Sequence, residues 1–452
     1  MSRVIAGMNW QQLYSFASKQ ALLGLCFEGI ERLGEEYPEE LKRNPIGREL
    51  LMTWMGKAQQ IRRQNMKVNA VAGKLFAMLR EDGMRCCVLK GQGNALMYPN
   101  PYSRNPGDID VWINASRERI MEYTQKKFEL GDDIRLQHLE TSLDGVPVEL
   151  HFFPCSMNNP IYHTRLQKWF RRNADLQCSH IVGLPDGAGD IAIPTTAFNV
   201  VYQLTHLYHH FFDEGIGMRQ IIDYYYVVCD FYKVYQNSSK ITPSLFTIKE
   251  GSTSYPDPLT LRGEGGNRPT RCSEPLRSKD GGPSKVSPDC AGWDRRDAIG
   301  ASKASPDCAG WDHRDAIGDI ASDASGSSSF TTDSSASTAL VVVQRELKYL
   351  GLWKFAGAVM YVLKEVLGLS EDKMIVPMNE KRGRLLLAEI LDGGNFGRHF
   401  SKYGGFTHQS MGKKYFLKIW RNMHFVRYYP AEALCEPLFR TWHFFWRLKY
   451  KK

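Results

Sequence analysis

Acidic side chains recur at every second position in one short stretch of the chain. Asp108 and Asp110 lie in DIDVWI, where acidic and apolar residues alternate. Because successive side chains of a strand point to opposite faces, both aspartates lie on one face and can bind a hard cation from the same side. Glu149 and His151 share a face in the same way in VPVELHFF. The spacing predicts a cluster of carboxylates on adjacent strands of a small sheet.

Such a cluster suits metal-assisted phosphoryl or nucleotidyl transfer. Two divalent ions ~3.5–4 Å apart can bridge carboxylates, neutralise a triphosphate and lower the pKa of an attacking hydroxyl. Magnesium prefers oxygen ligands and keeps waters and substrate phosphates in its shell, so a few carboxylates suffice. We therefore expect Asp108, Asp110 and Glu149 to be catalytic and to bind two Mg²⁺ ions, with an NTP as substrate.

A short apolar strand and a glycine turn precede the aspartates. Residues 84–90 (MRCCVLK) predict a strand that ends in a GQG turn, followed by a segment compatible with a helix. The turn allows close approach of the backbone to phosphate, and the helix N-terminus offers free amides. Two flanking cations can offset the charge of phosphate oxygens. The residues predicted to bind nucleotide are Lys90, Gly91, Gln92, Gly93 and Arg104.

A predicted hairpin carries the third carboxylate. A helical stretch at 115–130 is followed by runs at 134–143 and 146–153 on either side of Asp144-Gly145. Asp-Gly between two alternating runs is a strong signal for a tight hairpin. The chain thus supplies a strand, a glycine turn, a helix, a strand with two carboxylates and a hairpin strand with the third.

These motifs together resemble a known family. The sequence VLKGQGNALMYPNPYSRNPGDIDVWI, with VELHFF downstream, is similar to the bacterial uncharacterised nucleotidyltransferase family of the DNA polymerase beta-like nucleotidyltransferase superfamily. The resemblance implies a glycine turn, a D-x-D strand and a third acidic residue that act through two magnesium ions. Asp108, Asp110 and Glu149 match these acidic positions. The resemblance covers about 75–154 and extends more weakly to about Tyr235.

The turn both follows and departs from the family pattern. Lys90 and Arg104 match the LKG element and the arginine that precedes GDID. Gln92 stands where many superfamily members have Gly-Ser or Gly-Gly, so the serine contact to phosphate is missing. Gly93 keeps the backbone open at the next position.

The helical segment after the sheet offers further candidates. His206 and His210 are four residues apart and share a helix face. They can line a substrate cleft, pack structurally or bind a metal, although the Glu of HExxH is absent. Arg219 can hold nucleotide or acceptor, or pair with Asp223 four residues later. His151, His206, His210 and Arg219 are therefore candidates for an acceptor site or cleft.

The composition divides the chain into segments. Apolar residues at spacings of three and four predict amphipathic helices at 10–33, 50–79, 195–235 and 344–367. The segment between them is rich in Ser, Gly, Asp and Pro and contains a tandem duplication, SKVSPDCAGWDRRDAIGA and SKASPDCAGWDHRDAIGD. We interpret this segment as a disordered insert. The predicted divisions are 1–74 helical, 75–155 catalytic core, 156–236 helical, 237–340 insert and 341–452 helical, basic and aromatic.

The C-terminal region carries most of the excess positive charge. Residues 411–452 contain ten Lys and Arg against two Glu, in a chain whose formal net charge is +9. Three interpretations stay open for this region: packed helices, a surface for an anionic polymer or acceptor, and an interfacial membrane helix. Because Pro430 and Pro437 interrupt it, packed helices are favoured.

The whole pattern predicts an α+β protein, in which a small mixed β-sheet of the nucleotidyltransferase type is embedded in helical regions. No long apolar run predicts a transmembrane segment, and scattered cysteines suit a cytoplasmic protein. The expected activity is transfer of a nucleoside monophosphate from an NTP to an unidentified acceptor, a small molecule or protein rather than nucleic acid. The alternatives are an inactive nucleotidyltransferase-fold interaction protein and binding of an anionic polymer.

Overall fold

Helices dominate the computed structural model, which describes residues 1–128, 135–237, 334–400 and 410–450. The helices are α1 Ser2–Ala6, α2 Trp10–Lys19, α3 Leu23–Glu36, α4 Pro38–Arg43, α5 Arg48–Glu81, α6 Gln92–Ala95, α7 Arg117–Lys127, α8 Pro160–Ser179, α9 Thr196–Asp213, α10 Met218–Asn237, α11 Ser334–Tyr349, α12 Trp353–Leu367, α13 Glu380–Gly393, α14 Met411–Met423, α15 Pro430–Ala433 and α16 Glu436–Tyr450. The strands are β1 Cys86–Val88, β2 Ile109–Ile113, β3 His138–Leu143, β4 Val146–His151, β5 Ile181–Gly183 and β6 Asp190–Ala192. The predicted α+β class is confirmed.

The first four strands form a mixed sheet in the order β1-β2-β4-β3. Strand β2 is antiparallel to β1 and parallel to β4, while β3 and β4 form an antiparallel hairpin. Asp144 and Gly145 have positive φ angles of 50° and 71°, which a two-residue hairpin turn of type I′ requires. The predicted hairpin and mixed sheet are therefore confirmed. Strands β5 and β6 form a separate antiparallel pair.

The alternation of side chains divides this sheet between two hydrophobic clusters. Val88, Ile109 and Val111 belong to a cluster that includes the inner face of α5. On the opposite face, Cys87 and Trp112 belong to a larger cluster with residues of α8 and α9. All five residues of β2 are buried, so this strand is covered on both faces. The predicted aspartates thus lie on the face that is shared with α9.

The helical periodicity hides three breaks in the chain. The predicted helix at 344–367 is divided between α11 and α12, where Gly351 has a φ of 73°. The predicted helix at 10–33 is divided between α2 and α3, where Ala21 has a φ of 57°. The predicted helix at 195–235 is divided between α9 and α10 at Gly215, whose φ is 105°. A side chain at position 215 would also approach the Phe400 ring to 2.8 Å. Apolar spacing continues across all three breaks, so periodicity alone does not reveal them.

The predicted insert, with its tandem duplication, lies almost entirely at 238–333, outside the described residues. Helices α10 and α11 flank these residues and contribute to the same hydrophobic cluster, for example through Phe231 and Val343. Helix α11 begins at Ser334, inside the segment predicted as insert, and Ala339 is buried. Across the described ranges, no helix is long and apolar enough to cross a membrane.

Candidate active site

The sheet brings the predicted acidic residues together. Asp110 and Glu149 are register partners on the parallel strands β2 and β4, and Asp108 immediately precedes β2. One carboxylate oxygen from each of these residues lies within 4.8 Å of the other two. Three convergent oxygen donors are a suitable set for a hard divalent cation. The residues at this position therefore fit the magnesium that the sequence motifs imply.

Two cationic side chains contact the carboxylates. The Nζ atom of Lys90, two residues after β1, lies 3.0 Å from Oδ1 of Asp110. The Nε2 atom of His151 lies 3.1 Å from the same Asp110 oxygen and 3.1 Å from Oε2 of Glu149. His151 occupies β4 two residues after Glu149, so both side chains lie on one face as predicted. Asp110 is thus held by contacts with both Lys90 and His151, and Glu149 by its contact with His151.

These contacts shift the pKa values of the residues involved. Burial by itself would lower the pKa of His151, but its hydrogen bonds with Asp110 and Glu149 raise it to about 9. Burial would raise the pKa of Glu149, yet the hydrogen bond from His151 makes the net shift downward. For Lys90, the nearby carboxylates outweigh burial and raise the pKa above its ordinary value. The electrostatics of the site therefore favour charged forms for all three groups.

The two histidines of α9 line the next part of the site. Nε2 of His206 lies 2.9 Å from Lys90 Nζ, and Nε2 of His210 lies 3.1 Å from the same His206 atom. Burial and the neighbouring Lys90 charge hold the pKa of His206 well below its usual range. A neutral His206 therefore accepts a hydrogen bond from Lys90. The predicted i, i+4 face is confirmed, and it continues the polar surface away from the carboxylates.

The GQG turn has a different local geometry from the one the sequence suggested. Gly91 has φ 63° and ψ −108°, a combination that side chains rarely adopt. Gln92 is buried and its amide donates to Asn69 on α5 rather than facing solvent. A Cβ atom on Gly93 would approach Ile193 to 2.8 Å. The close contact that requires glycine at position 93 is thus with Ile193, and nucleotide contact by this turn stays a prediction.

Arg104 was predicted to contact phosphate, but its guanidinium is bound within the protein. Nε and NH2 donate to the two oxygens of Asp223 at 2.7 and 2.8 Å, and both residues are buried. The Tyr98 hydroxyl donates to the same carboxylate at 2.7 Å. Asp223 therefore pairs with Arg104 and not with Arg219, the partner that helical spacing suggested. Arg219 instead donates to the Asn105 carbonyl at 3.0 Å.

A cavity of about 820 Å³ adjoins these groups. Its walls include Asp108 and Glu149 together with His206, His210 and Arg219, the residues predicted to line an acceptor site or cleft. A smaller adjoining space is bordered by Gly91, Arg104 and Asp110, among others. Hence most of the predicted site residues surround one connected region, while Gln92 and Gly93 do not line it.

Several cavity residues were not predicted from the sequence. They come from β3 and the residues before it, from the end of α9, and from the chain after α13, and they are Arg135, Gln137, His138, His209, Asp213, Glu214, Phe396, Arg398 and Lys418. His138 lies opposite His151 in the register of the hairpin, so the predicted turn contained a signal for it. Phe396 has a φ of 54° and its ring lies 5.6 Å from the Arg219 guanidinium. No local motif marks Phe396, because only tertiary packing brings it to the sheet.

Comparison with known proteins agrees with this arrangement. The model of the family described as "Uncharacterised nucleotidyltransferase" matches residues 6–235, just over half of the 452-residue chain. The chain belongs to the uncharacterised nucleotidyltransferase family. The matched segment contains β1 to β6 and every residue predicted for the site. The family resemblance recognised in the sequence is therefore confirmed.

A crystal structure of an antigenic nucleotidyltransferase-like protein from Paracoccidioides brasiliensis is similar over 36% of this chain and 75% of that chain, with 15% identity and a TM-score of 0.25. No curated protein matches the chain. Phe396, Arg398 and Lys418 lie beyond the segment that matches the nucleotidyltransferase family, so one wall of the cavity comes from outside that segment.

Proposed function

We propose that this nucleotidyltransferase family member transfers a nucleoside monophosphate from an NTP to an acceptor and releases pyrophosphate. The observation that carries the proposal is the convergence of Asp108, Asp110 and Glu149 within 4.8 Å beside a large cavity. Membership of the family supports a nucleotide as substrate, and the oxygen donors suit a divalent metal.

In the proposed reaction, an acceptor oxygen forms a bond to the α-phosphorus of the NTP. The bond from that phosphorus to the oxygen that bridges to the β-phosphate breaks, and pyrophosphate leaves with its electron pair. The acceptor proton passes to solvent or to a basic side chain of the cavity. Asp108, Asp110 and Glu149 would hold divalent ions, which supply charge neutralisation and a lowered pKa for the attacking hydroxyl.

The neighbouring side chains prepare this chemistry. His151 donates to both Asp110 and Glu149 and so fixes the direction of their oxygens. Lys90 supplies positive charge beside Asp110, close to where phosphate oxygens would bind. Arg219 borders the cavity, and its neighbour Asp223 is already paired with Arg104, so its charge is available to an anion. We therefore assign phosphate binding to Lys90 and Arg219, and positioning of α10 to Arg104.

The size of the cavity bears on the acceptor. A volume of about 820 Å³ lies within the range of roughly 300–1,000 Å³ that is typical of small-molecule sites. His210, Phe396 and Lys418 contribute aromatic and polar side chains to its wall. These features favour a small molecule or a protein side chain as acceptor over a base-paired nucleic acid.

The test is a labelling screen with α-³²P NTPs and Mg²⁺ across small-molecule, protein and RNA acceptors. Label should be transferred by the wild type and not by Asp108→Asn, because the variant lacks one carboxylate of the cluster. Asp190→Asn is the matched control, since Asp190 is an exposed strand aspartate that does not line the cavity. Equal labelling by wild type and Asp108→Asn would refute the assignment of the site.

A second candidate is a non-catalytic interaction protein with the same fold. The observation that favours it is the GQG turn, where Gln92 binds Asn69 and Gly93 packs against Ile193 instead of facing the cavity. Calorimetric titration with MgATP separates the two functions. Metal-dependent binding that Asp108→Asn abolishes supports the enzyme, whereas no heat of binding supports the interaction protein.

A further inference from the structure

His138 is a buried imidazole without a hydrogen-bond partner. It lies on β3 directly opposite His151 on β4 and is 7% exposed. Neither of its ring nitrogens makes a hydrogen bond to any described residue. Burying polar atoms without partners is costly, and buried side-chain nitrogens in proteins are usually satisfied by protein, water or an ion. The burial of both ring nitrogens of His138 without a hydrogen bond therefore suggests that a ligand binds there.

The ring of His138 lies beside a carboxylate of the proposed active site. Its Nδ1 atom lies 3.3 Å from Oε2 of Glu149, and its ring centroid lies 4.9 Å from that of His151. One donor atom from each of His138, Glu149 and His151 lies within 4.8 Å of the other two. Two nitrogens and one oxygen thus lie within 4.8 Å of one another, on the same face of the sheet as the carboxylate cluster.

We propose that His138, Glu149 and His151 form a second metal position that takes a transition-metal ion such as Mn²⁺ or Zn²⁺ in preference to Mg²⁺. Imidazole nitrogen suits zinc and other first-row transition metals, whereas magnesium prefers oxygen donors. Glu149 belongs both to this group and to the group with Asp108 and Asp110. Its carboxylate can therefore bridge a nitrogen-containing position and an all-oxygen position, as in two-metal sites.

This inference deepens the proposed function and rests on it through the shared Glu149 and His151. It has a cost that the structure makes explicit. The Gln137 amide nitrogen lies 3.3 Å from Nδ1 of His151 and donates to the Pro154 carbonyl at 3.0 Å. An ion at Nε2 replaces the proton that His151 otherwise donates to Asp110 and Glu149. The remaining ring proton lies on Nδ1, so the amide of Gln137 must turn its oxygen toward that proton. The bond to Pro154 is lost in that arrangement.

A substitution that avoids the rotation of the Gln137 amide should strengthen metal binding. In Gln137→Glu, a carboxylate accepts the Nδ1 proton of His151 without any rotation. Carboxylate–histidine–metal arrangements of this kind raise the basicity of the ligand and orient the ring. We expect Gln137→Glu to bind Mn²⁺ or Zn²⁺ more tightly than the wild type, whereas Gln137→Leu should bind these ions more weakly.

The decisive experiment titrates chelator-treated full-length protein with MnCl₂ or ZnCl₂ in a calorimeter and records pulsed EPR of bound Mn²⁺. The wild type should bind an ion with ¹⁴N coupling from imidazole. His138→Gln should weaken binding at this position by at least ~10–100-fold, the loss that follows even from mutating outer-shell partners of metal ligands. His180→Gln should leave binding unchanged, because His180 lies outside the cavity, next to the Ile193 carbonyl.

Two other variants keep the test independent of folding and of the proposed function. His138→Asp supplies oxygen in place of nitrogen, so ion binding should persist while the preference for Zn²⁺ over Mg²⁺ declines. Asp108→Asn should abolish nucleotidyl transfer yet keep the nitrogen-coupled ion. Wild-type protein without ¹⁴N coupling, or equal metal affinity in His138→Gln, would overturn the second position while leaving the carboxylate site and its activity untouched.

Discussion

Two buried charged groups in this protein differ in what surrounds them. At the sheet, Asp110 contacts Lys90 and His151, and the group borders a cavity together with Asp108 and Glu149. In the C-terminal helices, Arg421 on α14 pairs with Glu389 on α13 at 3.3 Å, and both residues are buried. The first group contains more carboxylates than its cations neutralise, whereas in the second a buried guanidinium contacts a buried carboxylate.

The remaining contacts of Arg421 strengthen this contrast. Its NH2 atom donates to the Phe211 carbonyl at 2.8 Å. Its guanidinium also lies 4.7–5.7 Å from the rings of Phe211, Phe400 and Phe425. The polar atoms of this group are thus used within the core, while those of the carboxylate cluster face space that a ligand can enter. Buried charge alone does not mark a functional site; the difference lies in access.

Part of the C-terminal region agrees with the interpretation that its basic helices pack against the rest of the protein. Lys418 and Arg440 both approach Asp213 at the end of α9, at 3.5 and 2.9 Å. Other side chains of α14 and α16 stay exposed, including Phe416 at 71% and Trp420 at 64%. Packing therefore accounts for part of the basic charge, and binding of an anionic polymer or a membrane surface by the exposed aromatic residues stays a prediction.

The largest expected effect is on catalysis at the carboxylate cluster of Asp108, Asp110 and Glu149. Asp108→Asn removes one oxygen ligand charge, and metal-based stabilisation of a transition state contributes several kcal/mol. We expect transfer activity to fall on the order of 10³-fold, which corresponds to about 4 kcal/mol. Steady-state kinetics measure the loss, and thermal unfolding should show little change. A variant that loses stability and activity together would remove the contrast with the C-terminal group.

Disruption of the buried contact between Arg421 and Glu389 should lower the free energy of unfolding. Arg421→Ala removes the guanidinium that contacts the buried Glu389 carboxylate. Breaking a buried pair in this way costs about 3–5 kcal/mol. Urea unfolding measures this loss. The double variant Arg421→Met/Glu389→Leu should recover most of it, because replacing both charges with apolar groups is often neutral. If the double variant is as unstable as Arg421→Ala, the pair contributes more than charge balance.

A pH dependence is expected from Glu432, which belongs to the C-terminal helices. Burial raises its pKa from 4.5 to about 7, although the backbone N–H groups of Asn158 and Asn159 partly oppose the shift. Because the folded state holds the proton more tightly, this contribution to stability is complete below about pH 4.5 and is lost as the pH rises through 7. The loss should be on the order of 1–3 kcal/mol.

Denaturant unfolding at pH 4.5, 6 and 8 measures this contribution. In Glu432→Gln the difference between these pH values should shrink, whatever its effect at a single pH. Glu118→Gln is the control, since Glu118 is exposed at the start of α7 and lies outside this contact. An unchanged slope in Glu432→Gln would exclude titration of this buried carboxyl as the cause.

The smallest effect is expected at an exposed pair near the sheet. Lys74 on α5 and Asp144 in the hairpin turn lie 2.7 Å apart, and their side chains are 57% and 50% exposed. Water screens such pairs, so Lys74→Ala should cost at most ~1 kcal/mol by urea unfolding. A larger loss would show that distance matters more than burial, contrary to the comparison of the two buried groups.

Much of the sheet was predictable because its signals are local. Alternation in DIDVWI and VPVELHFF, and Asp-Gly between two strands, specified the strands and the hairpin from neighbouring residues alone. The two-residue turn also determines that residue 138 opposes residue 151, so His138 was within reach of the sequence. The pairing of Arg104 could not be predicted in this way, because a loop arginine pairs with Asp223 on α10 only after the helix packs against the sheet.

The sequence by itself determined the family, the strands and the faces on which the acidic residues lie, because strand periodicity and turn chemistry act over a few residues. Tertiary structure decided which charged side chains face the cavity and which are paired with each other in the core. Asp223 pairs with Arg104, while Arg219 lines the cavity. Phe396, which follows α13, forms part of the cavity wall. Such pairings depend on contacts between residues more than a hundred positions apart, which no local pattern records.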